Sequence, residues 1–287
     1  MKTSQYIIYN GVLKKEDEFC LDTNNRAFLY GEAFFETIFG HYDKLPFLKL
    51  HHKRILDAIE IFGFEPLNEI EDLHQLKDMI IFLTHKNKVY NSYRVRIIFY
   101  RKSGGLYLPQ NKEMEYIIQI TKLEKDPLKA PLKSISLGVY TDISKNASII
   151  SKFKTNSLLS VFSSRFANQN QLDDVLILNS NNNIVETTNS NIFFLLKDKI
   201  VTPPLSSGCV EGIARHIIIN NIGPELNYKV SEEDVTMDIF NKASEIFTTN
   251  AIHFINSVKN FKEKRYLNFQ INEINLSFLK FVNENLN

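Results

Sequence analysis

"VETTNSNIFFLLKDKIVTPPLSSGCVEGIAR", residues Val185 to Arg215, sets one acid, Glu186, ahead of five polar residues and then returns to an apolar run. The preceding "DDVLILNSNNN" reads as a strand entering a polar turn. "NIFFLLKDKIVTPP" reads as a second strand, a turn and a proline stop, and Gly212 marks the start of a helix, "GIARHIIINNI". A single carboxylate where two strands meet is either a solvated loop acid or faces something positive that the chain does not itself supply.

Working outward, both halves alternate strand-like and helical patterns. In the first, "YIIYNGVL" and "AFFETIFGHYDKLPFL" are β-rich. "LKLHHKRILDAIEIFGF" puts Leu48, His52, Ile55 and Ile59 on one helical stripe, and "IEDLHQLKDMIIFLTHKN" fits a second amphipathic helix. "SYRVRIIFYR" and "MEYIIQITKL" are strands flanking the loop "KSGGLYLPQNK". Charge and two prolines in "EKDPLKAPLK", Glu124 to Lys133, mark a boundary. The expected layout is a smaller N-terminal α/β domain over 1–122, a linker over 123–133 and a larger domain over 134–287. The second half adds a strand at "ISLGVY", a helix over "TNSLLSVFSSRFANQNQ" and a buried strand entering a turn at "SEIFTTNAIHFINSV". "SEEDVTMDIFNKA" reads as a capped helix, with Ser231 and Asp234 in capping-box positions. The fold class is α/β (α+β) with two domains.

Bulk numbers exclude more than they assign. With 34 Lys plus Arg against 33 Asp plus Glu, the net charge of +1 gives no field directed at nucleic acid or an anionic membrane. No signal-like leader or bilayer-length apolar run is legible, so a cytoplasmic protein is expected. Cys20 and Cys209 are too few and too isolated for a disulfide framework or a zinc site, and no metal is expected.

Three ordinary features of the second half combine into chemistry. "SKFKTNSLL" offers Lys152 and Lys154 ahead of an apolar helix, Glu186 sits at the strand junction, and the Gly212 helix start favours an anion. An amine to form an aldimine, an acid to keep a pyridine nitrogen protonated and a phosphate cup are what pyridoxal 5'-phosphate requires. In the first half, Arg94 and Arg96 share a strand face and Arg101 ends it. They are either readers of a substrate carboxylate or solvated edge charges. Tyr107, in the glycine-containing loop, is a weak candidate for a substrate contact. Arg54 pairs across its helix with Asp57 on a purely local reading, and His51 and His52 read as surface and half-buried helix residues without chemistry.

The stretch Glu186, Thr188, Asn191-Ile192-Phe193, Thr202 and Gly212-Ile213-Ala214-Arg215 resembles the signature of the class IV aminotransferases, the fold-type IV pyridoxal phosphate enzymes, with no element missing. "YGEAFFETI" is similar to that family's "fGDGvFEt" block and "LHHKRI" to its "H-x-x-R-L" helix, so the resemblance spans nearly the whole chain. It implies two domains with the cofactor between them, and Lys154 as the Schiff-base lysine in preference to Lys152. It further implies Glu186 at the ring nitrogen, Arg54 on the phosphate, and Ile213 and Ala214 giving backbone N–H groups to it. Asn250 and Ala251 would form the turn that also contacts phosphate, and Glu36 would lie on the strand at the active-site rim. A homodimer is implied as well. The expected reaction moves the amino group of an amino acid to a 2-oxo acid. The alternative is 4-amino-4-deoxychorismate lyase, which eliminates pyruvate, and Thr37 and Asn250 resemble that subgroup. Two departures bear on substrate rather than cofactor: Gly31-Glu32-Ala33 replaces "GDG", and Leu159 stands where some relatives carry Tyr. A non-catalytic binding module on the same fold would be expected to have lost Lys154, Glu186 or Arg215, and all are present.

Overall fold

The computed structural model describes residues 5–155, 158–197 and 199–286. Asn156 and Ser157, in the expected start of the helix after Lys154, and Asp198, in the turn after "NIFFLL", lie outside these residues. The described chain divides into two units, one of residues 5–126, 153–155 and 286, the other of the described residues within 127–152 and 158–285. The short return of 153–155 to the first unit is a departure from a division by sequence order alone.

In the first unit β1 (Tyr6–Tyr9) and β2 (Val12–Lys15) form a hairpin. Its turn uses positive φ at Asn10 (48°) and Gly11 (75°), the sequence pair suited to a two-residue turn. After α1 (Arg26–Tyr30) come β3 (Ala33–His41) and α2 (Leu48–Phe62), then α3 (Asn68–Glu71), α4 (Leu73–Lys86), β4 (Ser92–Arg101) and β5 (Met114–Lys122). The sheet order is β2-β1-β5-β4-β3, antiparallel throughout. Alternate residues point to opposite faces. One face packs Phe34, Ile38, Val95, Ile97 and Phe99 against Ile55 and Ile59 of α2 and Ile80 and Leu83 of α4. The stripe read from sequence on α2 is therefore its buried face. The single helix expected over "IEDLHQLKDMIIFLTHKN" is broken at Asp72, whose carboxylate accepts from the N–H groups of His74 (2.8 Å) and Gln75 (3.3 Å) and so starts α4.

The second unit runs β6 (Lys133–Tyr140), α5 (Leu158–Gln169), β7 (Asp174–Leu178), β8 (Ile184–Thr187), β9 (Asn191–Leu196) and β10 (Lys199–Thr202). Next, α6 (Ile213–Ile217) continues through a π-turn into α7 (Gly223–Glu225), followed by β11 (Lys229–Glu232) and α8 (Ile239–Lys242). β12 (Glu245–Asn250), β13 (Phe254–Phe261), β14 (Lys264–Arg265) and α9 (Phe269–Glu284) close it. Among the described residues the sheet is mixed, in the order β11-β10-β9-β12-β13-β6-β7-β8, with β14 on β13. Its apolar core includes Ile192, Phe194, Val201, Ile246 and Val258. The capped helix expected at Ser231 is not formed. Ser231 instead pairs in parallel register with Val201 of β10, and helical turns begin only at Ile239. The local capping signal lost to an open sheet edge beside it, where pairing satisfies several backbone groups at once.

A close approach inside the first sheet gives a direct check of this packing. Gly40 faces Tyr93 across β3 and β4, and a Cβ at position 40 would lie 2.2 Å from the fully buried Tyr93 ring. The ring cannot swing away cheaply, because its hydroxyl donates to the Tyr42 carbonyl at 2.8 Å. Gly40→Ala should destabilise the protein by about 1–3 kcal/mol, the usual range for overpacking. Denaturant titration should show a lower midpoint at unchanged slope, and an unshifted midpoint would contradict this packing.

Candidate active site

In the second unit Glu186 lies on β8, opposite Ile177 of β7. It is 9% exposed, and a carboxylate so far from water needs compensation. One oxygen, Oε1, accepts from Nζ of Lys145 at 2.5 Å, and the other, Oε2, accepts from the Val210 N–H at 2.9 Å. The chain does supply a positive partner for this acid, which corrects the sequence expectation. Lys145 was not singled out there.

Val210 leads directly to the start of α6. The Asn191 side chain donates from Nδ2 to the Val210 carbonyl at 2.8 Å, and a Cβ at position 212 would fall 2.1 Å from Asn191 Oδ1. Only glycine fits there. Gly212 opens α6 with no side-chain cap, so the first-turn N–H groups of Ile213 and Ala214 lack an intrahelical acceptor and present partial positive charge. Farther along, the Arg215 guanidinium donates to the Pro203 carbonyl at 2.9 Å and pairs with Glu232, and the Thr202 hydroxyl donates to the Ile192 carbonyl at 2.8 Å. The spaced residues of the signature are thus tied into one frame.

The turn after β12 joins that frame. Asn250 Oδ1 accepts from the N–H groups of Ile252 (3.0 Å) and His253 (2.8 Å), shaping the turn that holds Ala251. Its Nδ2 donates to the Ser190 hydroxyl at 3.0 Å. Thr249, in register with Asn191, has a buried hydroxyl with no hydrogen-bond partner among the described residues. Sequence reading passed over Thr249; its only signal was a hydroxyl on a strand otherwise committed to the core.

In the first unit Glu36 is buried on the helix-facing side of β3. Arg54 on α2 grips it with two hydrogen bonds, Nε to Oε1 at 2.7 Å and Nη2 to Oε2 at 2.8 Å. His51 Nδ1 adds a third contact at 2.8 Å. Burial pushes the Glu36 carboxyl up, but Arg54 and His51 outweigh it and hold it below its ordinary range. The His51 imidazole is held down by burial, only partly offset by Glu36. Arg54 therefore pairs with Glu36 rather than with its helix neighbour Asp57, and His51 is a core residue rather than a surface one.

Lys154 is anchored through its backbone, its carbonyl accepting from the Phe35 N–H at 2.8 Å, and its Nζ lies 5.9 Å from the Phe35 ring centroid. Arg96 stands over the same ring at 4.1 Å, and its guanidinium pKa is lowered by burial and by Arg94. Thr37 is Arg96's cross-strand partner. The Lys152 carbonyl accepts from Glu211 N–H at 3.0 Å, in the second unit. Arg101 has its fork occupied by Glu32 (2.7 Å) and the carbonyls of Phe62, Gly63 and Asn111, which puts it in the frame of the loop ahead of β5. Tyr107 is 91% exposed, its ring 5.6 Å from Tyr30.

The family model described as "Amino-transferase class IV" matches residues 33–261, a span that holds every element of this frame. The chain belongs to that family. It is an enzyme of the class IV aminotransferase type. It is similar to the branched-chain-amino-acid aminotransferase of Escherichia coli K12, at 24% identity over 268 residues, 90% of this chain and 85% of the relative. The solved structure of a branched-chain amino acid aminotransferase from Thermobaculum terrenum, in its PLP-form, shares its fold. That match has a TM-score of 0.85 at 18% identity, over 99% of this chain and 96% of that one. A "Putative 4-amino-4-deoxychorismate lyase" from Legionella pneumophila also shares it, with a TM-score of 0.79 at 22% identity over 93% and 97% of the two chains.

The buried acid and imidazole of the first unit predict a stability profile. Native His51 resists protonation, so the unfolded chain takes up that proton first as pH falls through 6.5, the ordinary value. Stability should therefore fall between pH ~7 and ~5, by at most about 1.4 kcal/mol per pH unit for one such group. Glu36's contribution is complete above 4.5 and is lost only as pH drops towards its depressed native value. Denaturant unfolding across pH should show the upper slope in the wild type and flatten it in His51→Gln. An unchanged slope in that variant would rule out a neutral native His51.

Proposed function

We propose that this enzyme uses pyridoxal 5'-phosphate to move the amino group of an amino acid to a 2-oxo acid. The carrying observation is that the Glu186 carboxylate and the uncapped start of α6 belong to one hydrogen-bonded frame, joined at Val210. An acid and a phosphate cup set rigidly apart is the geometry a ring with a nitrogen at one end and a phosphate at the other would use.

The residues fit that group. Ile213 and Ala214 would donate their N–H groups to the phosphate, and the turn at Asn250 and Ala251 and the unpartnered Thr249 hydroxyl would add to the cup. Arg54, oriented by Glu36 and His51, would bind phosphate as a fixed cation. Glu186 would keep the ring nitrogen protonated. Bound, the cofactor supplies an electron sink for charge developing at the substrate's α-carbon. Lys154 would hold the cofactor covalently through Nζ, and its amine, once freed by the incoming amino substrate, would take the α-proton and return it at the cofactor's C4′. Arg96, with Thr37 beside it, would bind a substrate carboxylate, and Tyr107 and Arg101 would shape and hold the loop over 102–113. The family resemblance supports a homodimer in the cytoplasm as the working form.

A second reading has its own support. Asn250 and Thr37 resemble the 4-amino-4-deoxychorismate lyase subgroup, and Asn250 organises its turn through three hydrogen bonds. That reaction would use the same lysine and acid but expel pyruvate instead of exchanging an amino group.

Borohydride reduction of the protein with pyridoxal 5'-phosphate, followed by peptide mapping, should find the pyridoxyl group on Lys154. Lys154→Ala should lose both label and at least ~100-fold in turnover, the scale expected when a covalent and proton-transfer group is removed. Label persisting on Lys152 would overturn the assignment. Supplied with an amino acid and a 2-oxo acid, the enzyme should show amino exchange. Pyruvate released from aminodeoxychorismate without any 2-oxo acid would decide for the lyase.

A further inference from the structure

Lys145 has no part in the chemistry assigned so far, yet it is the cation on which Glu186 rests. Its side chain is 19% exposed, that of Glu186 is 12% exposed, and the two meet at 2.5 Å. The segment carrying it is pinned on several sides. The Lys145 N–H donates to the Leu178 carbonyl at 2.9 Å, and Asn146 Oδ1 accepts from the Ser180 N–H at 2.8 Å. Gly208 backs onto the same segment, since a Cβ there would lie 3.0 Å from the Ala147 nitrogen. The amine is therefore delivered to the carboxylate from a fixed backbone rather than from a free loop.

The carboxylate keeps room for another donor. An ionised carboxylate has about four acceptor positions. Lys145 takes one on Oε1 and Val210 takes one on Oε2. The nearby Cys209 thiol feels both Glu186 and Lys145 and is pushed up to about 11 by burial, so it stays neutral and does not compete. Arg215, also near Cys209, is committed to Glu232 and Pro203. Among the described residues Glu186 pairs with no cation except Lys145. Without it, the buried Glu186 charge would lose its cation, and only the Val210 N–H would fix which way the carboxylate turns its lone pairs.

We propose that Lys145 is a positioning residue for the cofactor's ring nitrogen: it offsets the charge of the buried Glu186 carboxylate and holds it turned so that a lone pair remains for that nitrogen. The proposal rests on the reading of Glu186 given above. It assigns Lys145 no covalent role and makes no demand on the phosphate end.

The test compares binding of pyridoxal 5'-phosphate with its 1-deaza analogue, in which a C–H replaces the ring nitrogen, to the cofactor-free full-length protein. The wild type should bind the natural cofactor about tenfold more tightly than the analogue, as a charge-assisted hydrogen bond would give. Lys145→Met should lose most of that preference while binding the analogue within about twofold of wild type. Lys145→Arg should restore it, and Lys145→Gln serves as a second charge-free variant should Lys145→Met fold poorly. Equal weakening of both ligands would overturn the proposal, since Lys145 would then only support the fold. A preference kept or enlarged in the charge-free variants would overturn it as well, making Lys145 a competitor for Glu186. Glu186→Gln separates the two levels: if that variant keeps the full preference, the ring-nitrogen role of Glu186 fails whatever Lys145 does.

Discussion

A carboxylate taken out of water needs compensation, and in each unit of this protein one such acid is held by a cation together with further donors. In the second unit Glu186 lies between Lys145 and the Val210 N–H. In the first, Glu36 is gripped by Arg54 and touched by His51. Left bare, either acid would cost several kcal/mol. The elements that carry the partners are therefore held to their places: the segment after β6 and the α6 start around Glu186, and α2 against β3 around Glu36. What distinguishes the two is capacity. The Glu36 oxygens carry three donors in a fully buried setting, which suits a brace. The Glu186 oxygens carry two and keep acceptor positions, which suits a ligand.

The family signature acquires a physical meaning from this frame. Asn191 is required because its amide both holds the Val210 carbonyl and fills the space that glycine leaves at 212. Thr202 ties β10 to the carbonyl of Ile192. Arg215 ties α6 to Pro203 and Glu232. Each of these residues acts on the geometry of the turn between Glu186 and the helix start. A substitution at any of them would be felt as a displaced acid or a displaced helix end, even where it touches no ligand.

Much of this was legible in the sequence where interactions are local. The stripe on α2, the β1–β2 turn at Asn10-Gly11, the strands around Glu186 and the helix opening at Gly212 all declare themselves through periodicity or turn chemistry. The capped helix expected at Ser231 failed because a local cap lost to strand pairing with residues thirty positions earlier in the chain. Lys145 and Thr249 escaped notice, and His51 was read as a surface residue, for a related reason. Nothing in spacing links position 145 to 186, or 51 to 36; these pairs exist only once the sheets are assembled. The signal that would have found Lys145 was the question already raised by Glu186, namely which cation in the chain accompanies a buried acid.

Every role assigned to Glu186 depends on the protonation state of the ring it is said to face. Nitrogen-15 NMR of the protein loaded with pyridoxal 5'-phosphate labelled at the ring nitrogen reads that state directly. A shift in the pyridinium range at neutral pH, moving to the neutral pyridine range in Glu186→Gln, is the expected result. A neutral ring nitrogen in the wild type, or one indifferent to Glu186, would contradict it.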